Sequence, residues 1–125
     1  MTRPEIIPYE GEYANKPFLE LKSMVHPCVK LPNGKAFIPN DTFISGGDGG
    51  EECLLVTGPN MGGKSTILRQ TCLAVILAQI GCYVPCLSFK LTPVDRIFTR
   101  LGAEDRLLEG KSTFFVEMEE CRNVI

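Results

Sequence analysis

Apolar residues recur along this chain in several arrangements, and each predicts a different element. Phe18-Leu19-Glu20-Leu21-Lys22 alternates apolar and polar side chains, which predicts a strand with one face buried. Cys53-Leu54-Leu55-Val56 is short and continuously apolar, as a buried parallel strand should be. From Lys64 to Ile80 the run is helix-length, and Gly81 supplies a stop signal. In that run Ile67, Leu68, Leu73, Ala74, Val75, Ile76, Leu77 and Ile80 leave little polar surface beyond Arg69, Gln70 and Gln79. A helix apolar almost all round is normally buried in a larger body.

Breakers and turn residues organise the rest. Residues 1–17 carry Pro4, Pro8 and Pro17 among polar positions and read as a connecting segment ahead of one domain over 18–125. His26-Pro27 closes the first strand, and Cys28-Val29-Lys30-Leu31 is a candidate second one. Asn33-Gly34 signals a tight turn, and Ala36-Phe37-Ile38-Pro39-Asn40-Asp41 is a short extended piece ended by proline. Ser45 to Glu52 reads as a flexible glycine-rich loop. Beyond the turn from Gly81 to Pro85, Asp95 to Leu101 predicts a strand, Gly102 to Asp105 a loop, and Phe114 onward a helix.

Composition narrows the class. At 125 residues, with 44% hydrophobic and 22% charged positions, the chain fits one ordinary globular domain at most. A net charge of −2 leaves it no basic footprint for nucleic acid, so any contact with DNA has to come from elsewhere. The opening residues lead into no sustained apolar run, so no signal peptide is expected. Cys72 to Ala78, the most apolar run, is far too short to span a bilayer, and no membrane partner is expected. The six cysteines form no C-x-x-C, and His26 is the only histidine, which argues against a four-ligand zinc set. Free thiols in a reducing compartment are the expectation.

The candidate chemistry lies between the second strand and the helix. Gly58 to Ser65 reads G-x-x-x-x-G-K-S, the phosphate-cradling pattern. Gly58, Gly62 and Gly63 can take backbone angles that a Cβ forbids, so successive N–H groups turn inward on an anion at a helix N-terminus. Lys64 would place its ammonium on the β/γ-phosphates, and the Ser65 hydroxyl would join a Mg²⁺ shell. The bland alternative is an accidental glycine-rich turn, and the strand before and helix after the loop weigh against it. A guanine-reading N-K-x-D is missing, since Asn15-Lys16 precedes the loop and Phe18 stands where Asp belongs. Gly110-Lys111-Ser112-Thr113-Phe114 is a second candidate anion site, although by itself the motif is weak and an ordinary Ser/Thr helix cap explains it better.

Four stretches together resemble the ATPase domain of the MutS mismatch-repair family. They are Thr57 to Thr66 (T-G-P-N-M-G-G-K-S-T), Gly81 to Pro85, Leu91 to Ala103, and Lys111 to Met118, in matching order and spacing. Phe18 to Lys22, His26-Pro27-Cys28 and Phe37 to Asp41 look most like the eukaryotic homologue-six branch, the mismatch-recognising partner in a nuclear heterodimer. The resemblance implies an α/β P-loop NTPase fold of the ABC-ATPase class, with an N-terminal β region, the P-loop strand and helix, and a signature helix. It also implies that Phe37 stacks on adenine with the Ile38 backbone beside it. Read without the family, Phe37 is equally a core aromatic.

The loop Gly58, Pro59, Asn60, Met61, Gly62, Gly63, Lys64, with Ser65 and Thr66, would hold ATP and Mg²⁺. Ser112 would act in trans on the γ-phosphate of a second MutS homologue subunit. The family's Walker B strand would lie beyond Ile125, and mismatched double-stranded DNA would be held by domains preceding Met1. Val25, Cys86 and Glu119 to Arg122 depart from the family's usual residues. The implied function is the ATP-binding part of a nuclear DNA mismatch repair protein, whose ATP binding and hydrolysis regulate mismatch recognition and signalling. A non-catalytic nucleotide-binding or dimerisation fragment is the alternative.

Overall fold

The alternating run at Phe18 folds into the strand that organises the sheet. The computed structural model describes residues 1–14, 16–29, 36–46 and 52–99. The chain divides into two units, Met1–Asp95 and Arg96–Ile125, and the elements below belong to the first. In order they are β1 (Glu5–Ile6), a 3-10 turn at Gly11–Tyr13, β2 (Phe18–Met24), β3 (Asn40–Ser45), α1 (Lys64–Gln79) and β4 (Ser88–Leu91). The sheet order is β1-β4-β2-β3, with β1 parallel to β4 and the other two pairings antiparallel. The described residues thus form a mixed α/β layer pair, one helix on a four-stranded sheet.

Period-two patterning decides which face the helix covers. Leu19 and Leu21 of β2 and Phe89 and Leu91 of β4 are buried, while Lys22 after Leu21 and Lys90 between Phe89 and Leu91 are exposed. Met24, three residues after Leu21, would fall on the wrong face of a regular strand. A register shift between Leu21 and Met24, with Ser23 at φ 51, restores it to the core. The Ser23 N–H donates to Asp41 Oδ1 at 2.7 Å, so the irregularity leaves no orphan donor there. From the helix, Ala74, Val75 and Ala78 meet this face, and Val84 and Cys86 complete the core. Each large aliphatic or aromatic side chain buried here contributes roughly 1.5–3 kcal/mol.

Helix α1 agrees with its sequence signals at both ends. It begins at Lys64 and stops at Gln79, with Gly81 at φ 83. Gly81 N–H donates to the Ala78 carbonyl at 3.1 Å and Cys82 N–H to the Leu77 carbonyl at 2.8 Å, the paired bonds of a Schellman stop. The chain then turns into β4, and Thr2 pairs with Val84 on the way. The buried face is narrower than the sequence predicts: Leu68, Ile76 and Ile80 are exposed, whereas Gln70, counted with the polar surface, is fully buried. The reason is that the sheet offers only one layer for the helix to lie on.

Several expectations are corrected. Cys53 to Val56 joins no ladder among the described residues, and Leu55 is 84% exposed. An apolar run states a preference for burial but cannot supply flanking strands, and a strand exists only through its neighbours' hydrogen bonds. Asp95 to Thr99 likewise carry no ladder, and Arg100 and Leu101 lie outside the described residues. Cys28 sits in a turn, Val29 is in no strand, and Lys30 and Leu31 lie outside the described residues. The extended piece ending at Asp41 does not stop there but becomes β3 through Ser45. Residues 1–17 are more than a connector, since Glu5 and Ile6 pair with Lys90 and Leu91. The expected helix from Phe114 lies outside the described residues.

Candidate functional site

The glycine loop is built by three local constraints. Pro59 to Gly62 forms a turn closed by the Gly62 N–H on the Pro59 carbonyl at 3.1 Å. A Cβ at Gly62 would stand 2.9 Å from that same carbonyl oxygen, closer than real side chains approach backbone. Gly63 then takes φ 89 as the N-cap of α1, and its carbonyl accepts from Thr66 N–H and Ile67 N–H at 2.9 and 3.0 Å. Met61, a non-glycine, is also held at φ 64. The turn therefore delivers the chain into the helix at Lys64.

That helix start is set up for negative charge. No side chain caps it and its first turn carries no acidic residue, so the dipole's positive end is left to a ligand. Lys64 folds back across the loop and donates from Nζ to the Gly58 carbonyl at 2.8 Å and the Pro59 carbonyl at 2.7 Å. These bonds hold the ammonium at the loop's mouth. Asn60 and Ser65 are exposed beside it, Ser65 being the second helical residue.

Beside the loop opens a cleft of about 430 Å³. Val29, Phe37, Ile38 and Asn40 line one side of it, and Met61, Gly62, Gly63 and Thr66 the other. Residues some twenty-five positions apart in sequence meet here because β3 runs alongside the first half of α1. Asn40 Nδ2 reaches Gln70 Oε1 at 3.5 Å, and Thr42 Oγ1 lies 3.3 Å from Thr71 Oγ1. Thr71 also donates to the Ile67 carbonyl at 2.9 Å, as helical threonines do.

The sequence-predicted residues therefore fall into groups. Phe37, Ile38, Met61, Gly62, Gly63 and Thr66 share the cleft, and Gly58 and Pro59 join Lys64 by hydrogen bonds. Ser112 lies outside the described residues. Val29 and Asn40 are cleft residues given no site role from the sequence, Asn40 although it lies in the Phe37-to-Asp41 stretch, and Gln70 and Thr71 support the cleft from the helix. Asn40 follows the proline expected to end its segment, and Gln70 looked like a surface residue of an apolar helix. Only the packing of β3 on α1 reveals either.

A glycine turn at a helix start, beside a cleft lined by Phe37 and Ile38, is the candidate site of this mixed α/β unit. Comparison with known proteins is specific. The family model described as MutS domain V matches residues 54–125. The chain is 59% identical over 87% of its length to the DNA mismatch repair protein Msh6 of Gallus gallus. It is 51% identical over its full length to Msh6 of Homo sapiens, and 56% identical over 86% of its length to MSH6 of Saccharomyces cerevisiae. This chain belongs to the MutS family, and its matched part is that family's domain V. It spans only 8% of the length of the Gallus gallus relative and 9% of each of the other two.

Proposed function

We propose that this chain is the ATP-binding part of a DNA mismatch repair protein, in which ATP binding and hydrolysis regulate recognition of mismatched DNA and the signalling that follows. The observation that carries the reading is the shared cleft: the Phe37–Ile38 segment and the Gly62-to-Thr66 helix start line one cavity. A cavity of this size suits a small-molecule ligand. A nucleoside triphosphate needs a flat apolar wall for its base and a cluster of N–H donors with a cation for its phosphates. Phe37 is the wall, and the N–H groups after Gly62 with the Lys64 ammonium are the cluster. The cradle would be filled by a Cβ at Gly62 and strained by one at Gly63, which fits a backbone approaching a phosphate closely.

In this reading the P-loop NTPase fold of the ABC-ATPase class is the parent architecture. Phe37 stacks on adenine with the Ile38 backbone along its edge. Gly58 to Gly63 orient the phosphates, and Lys64 exchanges its two loop carbonyls for phosphate oxygens, adding positive charge where negative charge develops. Ser65 would offer one hydroxyl to Mg²⁺, which would neutralise phosphate charge. Ser112 serves the nucleotide of a second MutS homologue in a heterodimer. Mismatched DNA is gripped by other domains of the intact protein, which acts in the nucleus. The identity to Msh6 proteins supports the branch.

The test is equilibrium binding of ATP to the intact protein, with Phe37→Ala and Lys64→Ala as separate variants. Phe37→Ala should weaken ATP while leaving inorganic tripolyphosphate unchanged, whereas Lys64→Ala should weaken both. Unchanged ATP affinity in both variants would reject the cleft as the nucleotide site.

A further inference from the structure

We propose that Asn40 is the specificity-determining residue of the cleft, its amide oriented by Gln70 and by the Ile38 carbonyl so that Oδ1 accepts from the exocyclic amine of a 6-aminopurine nucleotide. The inference rests on the nucleotide reading above and deepens it.

The strand period puts Asn40 where it can act. Asn40 and Thr42 occupy the same face of β3, the one turned to α1, while Asp41 and Phe43 are exposed on the other. Asn40 is half-buried and lines the cleft with Phe37 and Ile38. Its orientation is decided by chemistry. Nδ2 stands 3.3 Å from the Ile38 carbonyl oxygen, and a carbonyl can only accept, so the nitrogen must face it. The same Nδ2 lies 3.5 Å from Gln70 Oε1. Nδ2 thus faces both acceptors, and Oδ1 remains as an acceptor with no partner among the described residues.

Gln70 is the second, independent sign. It is a fully buried amide on a helix face otherwise made of Ala74, Val75 and Ala78. Its Nε2 has no hydrogen-bond partner among the described residues. Leucine would fill that site without a polar cost, so an amide there needs a reason other than packing. The reason is positional. Gln70 stands on the helix that begins at the glycine loop, and it holds the residue that borders the base. Phosphate cradle and base reader are thus tied to one rigid element.

The selectivity follows from donor and acceptor patterns. Adenine offers a 6-amino donor, whereas guanine and hypoxanthine offer a 6-oxo acceptor. An Asn40 Oδ1 facing a 6-oxo group would leave two acceptors opposed and unpaired, and such mismatches discriminate more strongly than lost packing does.

The experiment measures binding of ATP, inosine triphosphate and inorganic tripolyphosphate to the intact protein. Wild type should prefer ATP over inosine triphosphate by about tenfold or more. Asn40→Leu should bring the two within about threefold of each other by weakening ATP, with tripolyphosphate unchanged. Asn40→Asp keeps the Oδ1 acceptor but sets its second carboxylate oxygen against the Ile38 carbonyl and Gln70 Oε1. It should therefore weaken nucleotide binding while retaining the preference for ATP over inosine triphosphate. Gln70→Leu should lower the ratio part of the way. Tripolyphosphate binding reports an intact loop in each variant; if Asn40→Leu loses it, the ratio is read in Asn40→Ala. A wild-type ratio in the leucine or alanine variant overturns the assignment. If Lys64→Ala does not weaken ATP, the nucleotide reading itself fails, which is a separate result.

Discussion

Lys64 donates from Nζ to the carbonyl of Gly58, six residues earlier, at 2.8 Å, and to Pro59 at 2.7 Å. One side chain thereby closes the loop that the glycines open. The contact is partly exposed, so it contributes little to stability, and its value lies in where it holds the charge. Lys64→Ala should leave the thermal midpoint of the intact protein nearly unchanged while removing ATP-dependent behaviour. ATP turnover equal to wild type would be incompatible with a phosphate role for this residue.

Gly63 caps α1 at φ 89, a conformation that costs an L-residue about 1–3 kcal/mol. Gly63→Ala should therefore lower stability by about that much and weaken tripolyphosphate binding, because nothing lies within 4 Å of the added Cβ and only backbone strain is at work. Gly63→Asn should lose less, since asparagine tolerates the left-handed region better. Denaturant midpoints of the two variants give the comparison; equal losses would point to a steric cause instead.

Ser112 is a prediction about the partner. If it acts in trans, Ser112→Ala leaves nucleotide binding by its own subunit nearly unchanged and slows hydrolysis at the partner's site. Titrating labelled nucleotide into heterodimers carrying the substitution on one side tests this. A loss confined to the substituted subunit's own site would contradict it.

Burial pushes the thiols of Cys72 and Cys86 above the usual cysteine range. At any pH below that range their thiolate fraction is smaller than a free cysteine's, and the thiolate is the reactive form. Iodoacetamide at mildly alkaline pH should accordingly modify the exposed Cys28, Cys53 and Cys82 first, and reach Cys72 and Cys86 only as pH rises further or the fold opens. Mass spectrometry of a labelling time course reads the order directly. Early modification of Cys86, which is buried in the core, would mean that the sheet–helix layer is not as tightly packed as described.

Leu54, Leu55, Ile80, Tyr83 and Leu87 are exposed large apolar residues. Expressed by itself, a chain of residues 1–125 should aggregate or bind a hydrophobic dye. Size-exclusion chromatography and a dye titration check this. A monodisperse chain that unfolds cooperatively and binds no dye would show that this surface needs no cover.

Local sequence determined the parts whose stability is local. Helix α1 starts and stops at the residues its glycines and apolar run mark, because a helix satisfies its own hydrogen bonds and a Schellman glycine ends it wherever it stands. The glycine loop became a turn at a helix N-terminus through constraints acting within a few residues, and the alternation at Phe18 marked the buried face of β2, whose pairing needed β3 and β4. What lay between distant segments was decided by tertiary structure. Cys53 to Val56 has the apolar character of a buried strand and no ladder among the described residues, since pairing belongs to the neighbour as much as to the strand. Glu5–Ile6 and Ser88 to Leu91 carry weak signals; Ser88 to Leu91 joined the sheet because β2 offered an edge, and Glu5–Ile6 because β4 then offered the next one. The meeting of Phe37 and Asn40 with Gly62 and Thr66, and the burial of Gln70 beneath them, follows from β3 lying along α1. No periodicity in either segment encodes that contact; only the packing of one on the other makes the cleft.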